Sequence, residues 1–144
     1  ITRLKLDIKY NSNIKLIQGS FYGSSITDIV LRDLYRKSKI VIVPLKDVYQ
    51  PTGYSVTLQA MACGNAVILS EIKGLWDSEV FINGYNCILV KPGSVSDLKN
   101  AVEQLISNKK LRSEIGKNAR ETAVKNFSVK RMNEAIVNLV DKYS

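Results

Sequence analysis

Short apolar runs alternate along this chain with segments whose apolar residues recur at helical spacing, and this alternation limits the fold more than any other feature. The strand candidates are Ile14–Ile17, Ile40–Pro44, Ala66–Ser70 and Cys87–Val90. Three of the four are nearly continuous in apolar residues. That is the form taken by parallel strands covered on both faces, because neither side chain direction meets water. Between them lie helix candidates at Asp28–Lys37, with Ile29, Val30, Leu34 and Tyr35 as its stripe, and at Ser55–Ala62. The order predicts an α/β domain: a Rossmann-like parallel sheet with helices on both faces. After the Pro92-Gly93 turn the pattern becomes wholly helical. Helices are expected over Ser94–Ser107 and Ser128–Tyr143, with breaks near Asn108 and Gly116 and before Ser128. The last helix has Val129, Met132, Ile136, Leu139, Val140 and Tyr143 on one face.

The 144 residues suit one core. No apolar run reaches the ~18 to 20 residues of a membrane span, and residues 1–10 lack a signal-peptide pattern. Histidine is absent, which removes most zinc sites and any imidazole base from this chain. The two cysteines, Cys63 and Cys87, lie in apolar stretches and read as buried, reduced thiols. The net charge of +8 is uneven. Residues 1–47 hold nine Lys/Arg against four Asp/Glu, residues 48–100 three against four, and residues 101–144 nine against five. The basic flanks read as solvated helix faces or as an attraction to anionic lipid and phosphate. Without interleaved aromatics or a nucleic-acid motif, they do not point to DNA or RNA.

In an open parallel sheet, ligands bind where the strands end. Three loops follow strand candidates: Gln18–Ser25, Leu45–Ser55 and Glu71–Asp77. The second is the richest. Thr52 and Ser55 offer hydroxyls, Gly53 allows tight geometry, and the next helix directs its free N–H groups outward, as suits an anion such as a diphosphate. Taken alone, the same residues are also an ordinary turn and N-cap, and the residues by themselves reach no further than a phosphate-binding α/β domain.

Taken together, a set of motifs is more specific: Val43-Pro44, then Pro51 to Gly64 with Ala60-Met61-Ala62-Cys63-Gly64, the strand Ala66–Ser70, Asn83-Gly84-Tyr85-Asn86 and Pro92-Gly93. This set resembles the C-terminal half of the group 1 glycosyltransferases (family 4, GT-B fold) over roughly residues 11–143. The resemblance implies one donor-binding domain over residues 1–144, lacking its first strands, with the N-terminal acceptor domain outside this sequence. It implies retaining transfer of a sugar from a nucleotide-sugar donor to a saccharide or lipid-linked acceptor, with no metal or cofactor. The chain alone would be inactive. The setting would be cytoplasmic, with peripheral contact at the membrane. The implied donor-binding residues are Gly19, Ser20 and Phe21 against the base; Thr52, Gly53, Tyr54 and Ser55 at the phosphates; and Gln59 at the ribose. In the family a glutamate fills the ribose position, and the family's first motif glutamate has no counterpart here, since Pro51 stands eight residues before Gln59. A nucleotide-binding module without turnover is the alternative that this departure leaves open.

Overall fold

The computed structural model describes residues 26–75 and 78–143. Eight elements follow in order: α1 (Asp28–Lys37), β1 (Ile40–Val43), α2 (Tyr54–Ala62), β2 (Ala66–Ser70), β3 (Ile88–Val90), α3 (Val95–Ser107), α4 (Lys109–Phe127) and α5 (Val129–Tyr143). The three strands form one parallel sheet in the order β1-β2-β3, with Ile42 opposite Ile68 and Ile68 opposite Ile88. The expected strands at 40–44, 66–70 and 87–90 are therefore present and parallel, each within one residue of its expected limits. The expected strand Ile14–Ile17 lies outside the described residues.

Alternation along the strands divides the core in two. Val43, Val67 and Leu69 face α1 and α2 and pack with Tyr35, Ala60 and Met61. Ile68, Ile88 and Val90 face the other way, onto Ala101 and Leu105 of α3 and Ile115 of α4. All five residues of β2 are buried, as a central strand requires. The continuous apolar run in the sequence has this cause.

The helix starts follow local chemistry. Thr27, Ser94 and Asn108 each accept a hydrogen bond from a first-turn N–H of α1, α3 and α4. Two expectations need correction. The buried face of α1 is carried by Tyr35 with Leu31 beside it, one turn apart, while Ile29 and Val30 are 63% and 50% exposed. Gly116 does not break a helix either. The helix α4 runs through it, because Gly116 lies against the carbonyl of Gly64 with no room for a side chain. The breaks at Asn108 and before Ser128 are present. Helix α5 forms as expected, but its apolar stripe is exposed among the described residues. No described helix is long and apolar enough to cross a membrane.

Candidate functional site

The loop from Pro44 to Gly53 leaves the carboxyl end of β1 and turns into α2. Gly53 makes the turn. Its φ is +76°, a left-handed conformation that suits glycine, and an added Cβ would lie 2.9 Å from Leu45 Cδ1 and 3.0 Å from Val43 Cγ1. Unlike α1, α3 and α4, α2 has no side chain capping its start. An uncapped first turn at a strand's carboxyl end presents positive charge toward an open edge.

Within α2 the side chains divide cleanly. Thr57, Ala60 and Met61 are buried, whereas Ser55, Val56 and Gln59 are exposed. Ser55 and Gln59 thus share the outer face, one turn apart, as their spacing predicts. The Gln59 Oε1 accepts a hydrogen bond from the Tyr35 hydroxyl at 3.3 Å, which ties it to α1. Burial, and then the nearby Cys63, raise the Tyr35 pKa above its ordinary value. The Tyr54 side chain turns inward, with its ring 5.9 Å from that of Phe81 and edge-on to it at 76°. Phe81 in turn stacks on Phe127. Tyr54 is half-buried, and its ring anchors the first turn of α2 to the core. Thr52 and Gly53 are half-buried in the turn itself. Gly19, Ser20 and Phe21 lie outside the described residues, as does Trp76.

A second group of motif residues supports the strand ends. The Asn86 side chain is buried; its Nδ2 donates to the Val80 carbonyl (2.7 Å) and to Thr122 Oγ1 (3.0 Å), and its Oδ1 accepts from the Ile82 N–H (2.9 Å). Asn83 Oδ1 accepts from the Leu89 N–H at 2.9 Å. Gly84 has a φ of +75°. The Asn-Gly-Tyr-Asn segment thus serves the fold by starting β3. In the sequence Tyr35 belongs to an apolar helix stripe, and Asp47, Lys73 and Gly74 stand in loops. Tyr35 could only be read as core, and the other three carry no motif until the loops meet.

A hollow at the carboxyl edge is lined by Ile42, Ile68, Val90 and Leu98 among others. It lies on the α3 side of the sheet, touches none of residues 52–59, and is largely apolar.

Comparison with known proteins places this geometry in a family. Residues 15–122 match the family model of the glycosyl transferases group 1. The chain belongs to that family. It is 39% identical over 124 residues to an uncharacterized glycosyltransferase of Methanocaldococcus jannaschii, covering 82% of this chain and 31% of that protein. Among solved structures, it resembles the Anabaena protein HepE in complex with UDP and glucose, at 25% identity and a TM-score of 0.63, covering 76% of this chain and 29% of the other. It also resembles the C-terminal domain of a group 1 family protein (LpcC) from Francisella tularensis, at 27% identity and a TM-score of 0.63, covering 74% and 52%. The chain thus spans less than a third of the length of the archaeal relative.

Proposed function

We propose that the protein containing this chain transfers a sugar from a nucleotide-sugar donor to an acceptor, and that this chain supplies the donor-binding half. One observation carries the reading. In a chain of this family, α2 begins without a side-chain cap beside the carboxyl end of β1, with Ser55 and Gln59 both on its open face. The diphosphate is assigned to the backbone of Gly53 and Tyr54 and to the hydroxyls of Thr52 and Ser55, and the ribose to Gln59. Gly19, Ser20 and Phe21 are assigned to the base. The complex of HepE with UDP and glucose supports a nucleotide-sugar ligand for this fold.

In this reading the mechanism is electrostatic. As the bond from sugar to diphosphate breaks, negative charge grows on the leaving oxygens. First-turn N–H groups fixed in advance stabilise that charge without reorganising. Transfer with retention, and without a resident metal or cofactor, is supported by the motif resemblance. The acceptor, a saccharide or lipid-linked sugar, would be held by a further domain, so residues 1–144 alone would show no turnover. The basic flanks support a cytoplasmic protein that rests on anionic membrane.

The test is calorimetric titration of the full-length protein with UDP-, GDP- and ADP-sugars, followed by a transfer assay with the sugar that binds. Binding of one class with release of its nucleoside diphosphate supports the reading. Absence of binding to all three overturns it.

A further inference from the structure

Two loops leave neighbouring strand ends, residues 44–53 after β1 and residues 71–75 after β2, and they are joined at several points. At their root, the Leu45 N–H donates to Ser70 Oγ at 3.0 Å. Farther out, the Lys73 N–H donates to Asp47 Oδ1 at 3.1 Å, and Lys73 Nζ lies 3.5 Å from Asp47 Oδ2. The Gly74 N–H donates to the Val48 carbonyl at 2.8 Å. Lys73 Nζ also lies 5.2 Å from the centre of the Tyr49 ring.

Gly74 decides whether this contact can exist. A Cβ there would lie 2.6 Å from the carbonyl oxygens of both Tyr49 and Gln50. Those are backbone atoms, which cannot swing aside as a flexible side chain would. Its φ is not among the positive ones, so glycine is needed for space and not for a backbone angle.

The position of the contact gives it a consequence. Residues 44–53 contain no helix or strand, and a free loop of that length samples many arrangements. Pinning residues 47–50 leaves only Pro51, Thr52 and Gly53 between the pinned point and the first residue of α2. Gly53 is itself wedged against Leu45 and Val43. The exposed Asp47–Lys73 ion pair adds little stability to the fold as a whole. Its effect is local: it removes freedom from the segment that enters the diphosphate turn. A binding loop ordered beforehand loses less entropy when the ligand arrives.

We propose that Asp47, Lys73 and Gly74 are positioning residues for the donor: they clamp one loop to the other and hold the turn at Thr52–Ser55 in its binding arrangement before the donor arrives. This inference rests on the donor-site reading above. None of the three need touch the donor.

The test uses the full-length protein and the variants Gly74→Ala, Asp47→Ala and Asp47→Asn. Two quantities are read: donor Kd by calorimetry well below the melting temperature, and amide hydrogen exchange without donor. Gly74→Ala should raise Kd by about tenfold or more, and Asp47→Ala by roughly threefold, since one removes the close approach and the other only part of it. Asp47→Asn keeps an acceptor for the Lys73 N–H and should fall between Asp47→Ala and the parent. Exchange should quicken across residues 48–56 and stay unchanged in β2 and α4. In turnover the loss should appear in KM, with kcat within about twofold. Should Gly74→Ala fail to fold, the two Asp47 variants carry the test. Quickened exchange with an unchanged Kd overturns the positioning role, and unchanged exchange at 48–56 overturns the clamp itself. A parent protein that binds no nucleotide sugar defeats the functional reading instead, and exchange alone then decides whether the clamp exists.

Discussion

Gly116 in the middle of α4 lies directly against the carbonyl oxygen of Gly64, the residue that ends the α2 turn. Two opposing effects meet there. In an exposed helix, alanine would be better than glycine by about 1 kcal/mol. Here the new methyl would meet backbone, and forcing atoms into a closed contact costs about 1–3 kcal/mol or more. Steric cost wins, because neither the Gly64 carbonyl nor α4 can move without disturbing β2, which starts two residues later. The variant Gly116→Ala is expected to lose about 1–2 kcal/mol in urea denaturation, where propensity alone would predict a gain. A stabilised variant would mean that α4 can retreat from α2.

The two thiols should behave differently. Cys87 is fully buried, and burial, with Glu71 adding to it, pushes its pKa up to about 12. Cys63 is only half-buried. At pH 8 a thiol reagent should therefore label one cysteine of the native chain, Cys63, and two after denaturation. The sign of the stability effect follows from linkage. In the unfolded chain Cys87 loses its proton near pH 9, while in the folded chain it keeps it to about 12. Its contribution is complete below about pH 9 and is lost as pH rises toward 12, at no more than about 1.4 kcal/mol per pH unit. Cys87→Val should flatten that part of the profile, read as the urea midpoint between pH 8 and 11. An equal slope in the variant would remove Cys87 as its source.

Asn86 is expected to be among the polar residues whose loss costs most. It satisfies one N–H, one carbonyl and one hydroxyl from a buried position. Alanine would leave those partners without it, at about 2–4 kcal/mol in total. Aspartate should be no better. It can still accept from the Ile82 N–H, but it cannot donate to the Val80 carbonyl, and a charge would be buried. Thermal melting of both variants checks this. A melting temperature within about 2 °C of the parent for either would mean that water takes over these bonds.

The strands were legible because burial on both faces leaves a continuous apolar run, and β2 is such a strand. The start of α3 was legible from Ser94, and the break between α3 and α4 from the neighbourhood of Asn108. What the sequence hid was set by contacts between distant segments. Gly116 reads as a helix break until Gly64 is placed beside it. Ile29 and Val30 share a stripe with Tyr35 by spacing, yet only part of that face meets the sheet. The candidate site divides in the same way. Gly53, Ser55 and Gln59 could be nominated because they are close in sequence around one helix start. The clamp could not, since Asp47 and Gly74 come together only when β1 and β2 lie side by side.

Gln59 provides the sharpest test of the donor site. It is exposed on the same face of α2 as Ser55, and its Oε1 accepts the Tyr35 hydroxyl at 3.3 Å, a long bond that a stronger donor can displace. A ribose hydroxyl would find a neutral acceptor there. Gln59→Ala should weaken donor binding by about 0.5–1.5 kcal/mol, roughly twofold to tenfold in Kd. Gln59→Glu places a carboxylate at the same point, and charge-assisted bonds are stronger, so affinity should be kept or improved. Tyr35→Phe is the control. It removes the competing donor while leaving Gln59 in place, so it should not weaken donor binding, whatever it does to stability. Calorimetry with the full-length protein separates the three. If Gln59→Ala and Gln59→Glu both bind the donor as the parent does, the ribose lies elsewhere and Gln59 serves only to hold α1 to α2.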